Sequence, residues 1–478
     1  MRPAVAATLL ALFAPACFDG KDAHGLPCRE DHQCGLGERC EGNVCGGPAA
    51  ATQSDTQADT QTDTQTDTGT SARCDPPPPA WCGASTTAGT HMPRTNEFSR
   101  PELTRPAAVV AGDFRGDAST DLVVLSQETF RLNMLSNEDD EWMVRGTSDD
   151  VDGIQTARDL IATDRDCDGT IEFAVLSTDG HIALVNWDEP SERFVSIGAV
   201  DVAGAAHSFA VGDLVDDDMG YPDLVVSSNA VVSLVTNIDG MFDQQSVDEL
   251  MLGDEFYQPW DTVILDEDDD PRIVAPSADG RKQFQQYDHV VHLLHVAQAG
   301  DGAMLEDATP AVLASDFRNP WAIAQGDFDG DGGLEIAVVE RNVNSDDDGT
   351  NEPGRLRFFY LEAVDAFPVF EGGIELGIGP LSLEAADLDC DGFTDLVVGN
   401  GGAPPGLPGS PQIVFGQADL ATATVTDIAA PSGAFTPGTR TAVGDFDGDG
   451  RPEVAIPDAG FVFSEAGERI VFVGVEGT

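Results

Sequence analysis

From about residue 92 to the C-terminus, short apolar runs alternate with Asp- and Gly-rich turns, and helical periodicity is scarcely visible. Apolar runs of this length, bounded by turn residues, predict strands. One pattern recurs seven times: an apolar run ends on Asp, a polar loop follows, and a second apolar run resumes. Val109-Val-Ala-Gly-Asp113 leads to Asp121-Leu-Val-Val-Leu, and Leu160-Ile-Ala-Thr-Asp164 leads to Glu172-Phe-Ala-Val-Leu. The first Asp falls at 113, 164, 213, 266, 327, 387 and 445, at intervals of 51, 49, 53, 61, 60 and 58 residues. A recurring period in this range signals a repeat architecture. Each unit has room for about four short strands, which is one propeller blade. The run after each loop is nearly all apolar (Leu-Val-Val, Ile-Ala-Val, Val-Ala-Ile), as for inner strands covered on both faces. The pattern therefore predicts an all-β, seven-bladed β-propeller over residues 92–478. The seventh unit is short after Glu453, with room for three strands, so residues 97–104 are expected to supply its outer strand and close the ring.

The loops carry the candidate chemistry. In Asp445-Phe-Asp447-Gly-Asp449-Gly450-Arg451-Pro-Glu453, carboxylates stand at positions 1, 3, 5 and 9 and Gly at 6. Short Asp side chains at this spacing converge on one hard cation, Gly permits the sharp turn, and a carbonyl at position 7 completes the oxygen cage that calcium prefers. Three more loops keep every carboxylate: Asp164, Asp166, Asp168 and Glu172; Asp327, Asp329, Asp331 and Glu335; and Asp387, Asp389, Asp391 and Asp395. Thr170, Gly333, Phe393 and Arg451 supply the position-7 carbonyls. Loop one has Arg115 at position 3, leaving Asp113, Asp117 and Asp121. Its guanidinium can replace the cation by an internal ion pair, so calcium is expected at four sites, or five if loop one binds. Loop three has two extra residues (Asp213, Asp216, Asp217, Asp218, Asp223) and loop four is shortened (Asp266, Asp268, Asp270), so both read as degenerate. Cys167 and Cys390 occupy position 4, where Gly330 and Gly448 sit elsewhere, and read as tolerated loop residues without a disulfide between them.

This hydrophobic-Gly-Asp-Phe-Asp-Gly-Asp-Gly-x-x-Asp/Glu-hydrophobic pattern resembles the FG-GAP/VCBS repeats of integrin α-subunit propellers and of many exported bacterial proteins. Unit six comes nearest, with Asp395-Leu-Val-Val-Gly-Asn-Gly-Gly402-Ala403-Pro404 and later Phe415-Gly416. Several units lack these Phe-Gly and Gly-Ala-Pro elements. The resemblance covers about residues 92–478. It implies calcium loops on one face of the disc and partner recognition on the opposite face.

Residues 1–16 have one positive charge, a short apolar run and then small residues, the pattern of a secretory signal peptide. Ala14-Pro15-Ala16 fits a cleavage site, and the same junction resembles a bacterial lipobox in which Cys17 becomes the lipidated first residue. Residues 17–47 hold Cys28, Cys34, Cys40 and Cys45 with little apolar material, which reads as a mini-module stapled by two disulfides. Pairings of 28 with 40 and 34 with 45 are one of three possibilities, and a zinc site is the alternative. Residues 48–91 are a Thr/Asp/Gln-rich stalk that cannot bury a core, ending in a local Cys74–Cys82 loop.

The formal net charge is −61, from 85 acidic and 24 basic residues, a field that repels phosphate backbones and excludes nucleic acid as a partner. There is no G-x-S-x-G elbow, H-E-x-x-H pair or P-loop. His289, His292 and His295 form one cluster, but on a strand His292 points opposite to the other two. The acidic insertion at 344–349 reads as a solvated loop. The expectation is an exported binding or adhesion module, secreted or held at the cell surface through a lipid on Cys17, with a protein or glycan partner and no catalysis. The alternatives are an enzyme of lyase or dehydrogenase type using the central funnel, and a purely structural envelope protein.

Overall fold

The computed structural model describes residues 39–41, 44–46 and 92–476, apart from 118, 139–140, 150, 152, 216–219, 253–256, 266–270, 280–289, 300–301, 310–316, 342–352, 361–372, 403–408, 429–434 and 460–468. The signal segment, Cys17, Cys28, Cys34, the stalk with Cys74 and Cys82, His289, the 344–349 insertion and most acids of loops three and four lie outside these residues. The chain divides into two units, 1–69 and 70–478. In the first, Arg39–Glu41 pairs antiparallel with Val44–Gly46, setting the backbones of Cys40 and Cys45 opposite each other. No helix among the described residues is long and apolar enough to cross a membrane.

The second unit is a seven-bladed propeller of antiparallel sheets. Blade one is built from Pro106–Gly112, Asp121–Ser126, Arg131–Glu138 and Glu141–Thr147, in that order from the inside. Blades two and three repeat the meander from Ala157–Thr163 to Arg193–Asp201 and from Ala206–Gly212 to Met241–Met251. Blade four splits its first strand into Tyr257–Pro259 and Val263–Leu265, both paired with Arg272–Asp279. Blades five and six begin at Pro320–Gly326 and Pro380–Ala386. The first strands of neighbouring blades contact one another all the way round, including blade seven against blade one. They therefore line the axis.

The second strand of a blade is the most buried. Asp121–Ser126, Glu172–Ser177, Asp223–Ser228, Glu335–Glu340, Asp395–Asn400 and Glu453–Asp458 are buried at every position. That is why these runs are apolar without alternation: each is covered by an adjacent blade on either face. The core is accordingly a series of clusters between blades, such as Leu160, Phe173 and Val175 with Val123 and Leu132 of blade one.

Closure uses the N-terminal strand, as the short seventh unit requires. Ala442–Gly444, Glu453–Asp458 and Arg469–Glu476 are completed by Met92–Ser99, with Met92 opposite Glu476 and Ser99 opposite Arg469. The strand lies earlier than the expected 97–104. Pro101 has no N–H to give a ladder, the chain turns with Leu103 N–H bonded to Arg100 O (3.0 Å), and Leu103 is fully buried. Trp142 of blade one stacks on Phe472 of blade seven (5.3 Å, 11°), and Phe446 packs on both, which seals the seam.

Candidate functional site

Each complete loop is the turn between the first and second strands of a blade, and the position-9 acid is the first residue of that buried second strand. One of its oxygens caps the loop start. Glu172 accepts from Arg165 N–H (3.0 Å), Glu335 from Phe328 N–H (2.8 Å), Asp395 from Leu388 N–H (2.9 Å) and Glu453 from Phe446 N–H (2.7 Å). The position-1 Asp accepts from the position-6 Gly N–H: Gly169 to Asp164 (2.9 Å), Gly332 to Asp327 (3.1 Å), Gly392 to Asp387 (3.1 Å) and Gly450 to Asp445 (2.9 Å). The position-5 acids Asp168, Asp331, Asp391 and Asp449 accept from the N–H of Thr170, Gly333, Phe393 and Arg451.

With the turn held this way, positions 1, 3 and 9 bring one oxygen each within 4.8 Å of one another in all four loops. The position-5 carboxylates, turned onto the backbone, stand outside that group. Asp166 Oδ1, Asp327 Oδ1, Glu335 Oε1 and Asp445 Oδ1 are buried with no hydrogen-bond partner. Buried carboxylate oxygens aimed at one another and lacking donors are costly unless a cation joins them. Burial, joined by neighbouring acids, pushes Glu172, Glu335 and Glu453 up to about 7 and Asp395 to about 8. The donor set is all oxygen and fits calcium.

The Phe-Gly element of unit six has a structural role here. Gly416 N–H donates to Asp395 Oδ1 (2.9 Å), and a Cβ at Gly416 would meet Thr394 O at 2.3 Å. Gly450 at position 6 has φ +83° but open space around it, so its demand is conformational only. Gly450→Ala is expected to cost about 1–2 kcal/mol from the left-handed backbone alone. A melting curve showing no loss would contradict this.

Guanidinium groups enter two loops. In loop one, Arg115 pairs with Asp121 (2.9 Å) and Asp117 (2.9 Å), so a side-chain cation sits among Asp113, Asp117 and Asp121. Arg115→Asp is expected to raise the number of bound calcium ions by one; an unchanged count in a calcium titration would contradict it. In loop seven, Arg94 of the closing strand reaches Asp447 (2.6 Å), Asp449 (3.4 Å) and Glu453. It comes from another strand and leaves all four loop acids in place, whereas Arg115 replaces one of them. Calcium is therefore expected to displace Arg94 in loop seven but not Arg115 in loop one. In loop three, Asp223 is saturated by Leu214, Val215 and Asn237 N–H groups.

Position 4 is left-handed in every complete loop, with φ of +57° at Cys167, +72° at Gly330, +59° at Cys390 and +74° at Gly448. Both cysteines are disulfide-bonded, which corrects their reading as merely tolerated residues. His292 lies in strand Val290–Ala299, buried at 4% exposure, and His295, half-buried three residues along the same strand, points to its other face.

Sequence reasoning missed the ring axis. Five residues before each first loop Asp stand Ala108, Asp159, Ser208, Asp261, Ala322, Ser382 and Arg440. Arg440 holds Asp159 through two bonds (2.8 and 2.9 Å) and donates to Phe209 O (2.6 Å). Asp261 accepts from Ser208 Oγ (3.2 Å), Thr262 N–H (2.8 Å) and Ile323 N–H (3.1 Å). Glu384, two residues further along its strand, accepts from Thr441 Oγ1 (2.5 Å). Burial raises Asp261 to about 6 and Glu384 to about 7, despite the nearby Arg440. The signal was available: at a position otherwise Ala or Ser, three units carry a charge.

No family model matches this sequence, and no curated protein matches it. Among solved structures, the chain is similar to BBS1N in complex with ARL6DN, soaked with lead, with a TM-score of 0.51 and 11% identity over 80% of this chain and 96% of that chain. The same complex soaked with mercury gives a TM-score of 0.49 and 10% identity over 80% and 98%. At this identity the likeness shows the seven-bladed propeller fold alone.

Proposed function

We propose that this chain is a calcium-stabilised propeller of FG-GAP/VCBS type that binds a protein or glycan partner and catalyses no reaction. The observation that carries the reading is the repeated loop geometry, in which three carboxylate oxygens converge within 4.8 Å in each of four complete loops. Such convergence is what calcium requires, and Asp-Gly hairpin turns alone do not. The metal is structural: it fixes the turn between the two innermost strands of a blade, leaving the opposite face for recognition. The BBS1N propeller is seen in complex with ARL6DN, a precedent for a protein ligand on this fold. The segments at 1–47 fit export and surface tethering, through a lipid on Cys17 or by secretion.

The test has two arms. A glycan array and a pull-down from envelope extract are run with calcium and with EGTA. Partner capture that requires calcium supports the reading. Turnover of a substrate, or capture indifferent to calcium, would overturn it.

A further inference from the structure

The strand that closes the ring, Met92–Ser99, is fastened differently along its two halves. It is the edge strand of blade seven, paired with Arg469–Glu476. In its second half, Phe98 is buried in the core shared with blade one, and Glu97 pairs with Arg469 (3.1 Å). In its first half the charged fastening is Arg94, through Asp447 (2.6 Å), Asp449 (3.4 Å) and Glu453 of loop seven. The guanidinium reaches the loop because no side chain stands in its way. Arg94 lies opposite Gly474 in the ladder, and a Cβ at Gly474 would meet Glu453 Cγ at 2.6 Å and Arg94 Nε at 3.4 Å.

Asp447 and Glu453 are also two of the three acids whose oxygens converge in loop seven, the third being Asp445. The guanidinium therefore draws on the carboxylates that a calcium ion in this loop needs. A monovalent and a divalent cation this close also repel each other. Arg165 of loop two touches Asp166 (3.0 Å) but belongs to the loop itself, so moving it frees no other strand. Loop seven differs because its side-chain cation is part of the ring closure.

We propose, resting on the calcium reading of these loops, that Arg94 and calcium exclude each other from loop seven, so that calcium there releases the first half of the closing strand. Competition of this kind is reciprocal: the factor by which Arg94 weakens calcium binding is the factor by which calcium weakens Arg94's hold on the loop. Calcium thus firms the loop and loosens the strand beside it.

The experiment reads both halves of the coupling on the full chain, with Arg94→Gln and Arg94→Lys beside the wild type. Calorimetric titration with calcium is expected to show one site tightened about fivefold or more in Arg94→Gln, near the lower end of typical site-to-site coupling, with the others unmoved. Arg94→Lys keeps the charge and is expected to stay nearer the wild type. Hydrogen exchange over residues 94–96 of the wild type is expected to run about fivefold faster in calcium than in EGTA, by the same reciprocity. In Arg94→Gln the two conditions should agree, and residues 97–99, held by Phe98, serve as the internal reference. Wild-type exchange needs no variant, so it decides the matter if Arg94→Gln fails to fold. Equal calcium affinities in all three proteins, or wild-type exchange over 94–96 unmoved or slowed by calcium, would overturn the proposal and leave the loops as calcium sites. Absence of calcium binding in every protein would overturn the proposal together with the calcium reading beneath it.

Discussion

Arg440→Ala is expected to destabilise the propeller by about 3–5 kcal/mol, the cost of leaving a buried charge without its partner. Asp159 is 2% exposed, and without the guanidinium it keeps only Leu160 N–H (2.9 Å) and Phe209 N–H (3.4 Å). The effect extends beyond one pair because residues 439–440 tie the seam of the ring together. Thr439 N–H donates to Ala107 O of blade one (2.6 Å), its hydroxyl donates to Arg158 O of blade two (2.6 Å), and Val109 N–H donates to Arg440 O (3.3 Å). Arg440 then reaches Phe209 O of blade three. One short segment of the last blade therefore grips the first three.

Replacing both partners, Arg440→Met with Asp159→Leu, is expected to recover most of the loss, since a buried pair exchanged for apolar groups is often neutral. Denaturant melts of the single and double variants measure this. A loss under about 1 kcal/mol for Arg440→Ala, or a double variant no better than the single, would show that the axial pair does not hold the ring.

How much of this was legible beforehand depended on which residues repeat. The fold was readable because the position-9 acid and the apolar run after it recur with the same offset in five of the seven units, and burial on both faces forces that pattern. The loop ligands were readable for the same reason. The axial residues left only a weak signal, because their position holds Asp in two units, Arg in one and Ala or Ser in the other four. A site assembled from single residues of different blades has no period. Arg94 was equally hidden, since its partners lie at the other end of the chain. The closing strand was placed late because the count of missing strands located it only coarsely, and Pro101 sets its end.

Removing calcium is expected to reverse how stability depends on pH. In the metal-free protein, burial raises the position-9 acids Glu172, Glu335 and Glu453 to about 7 and Asp395 to about 8, against ordinary values near 4. A carboxyl raised on folding binds its proton more tightly in the folded state. Its contribution to stability is full below the unfolded value and is lost as pH rises through the folded value. The chelated protein should therefore melt at a higher temperature at pH 5 than at pH 8. With calcium bound, the charged form is the stabilised one, and the dependence should run the other way. At calcium near to a few-fold above the dissociation constant, each site adds about 0.5–1 kcal/mol, so four together shift the melt by several degrees. Melting curves at pH 5 and pH 8, with calcium and with EGTA, decide this. Identical curves with and without metal would contradict it.

The most direct measurement is the number of calcium ions bound per chain after equilibration at millimolar calcium. Four is the expected count, one for each loop beginning at Asp164, Asp327, Asp387 and Asp445, falling to three in Asp327→Asn. A chain that binds none, or that keeps its full count after that substitution, would contradict the assignment of these loops as metal sites.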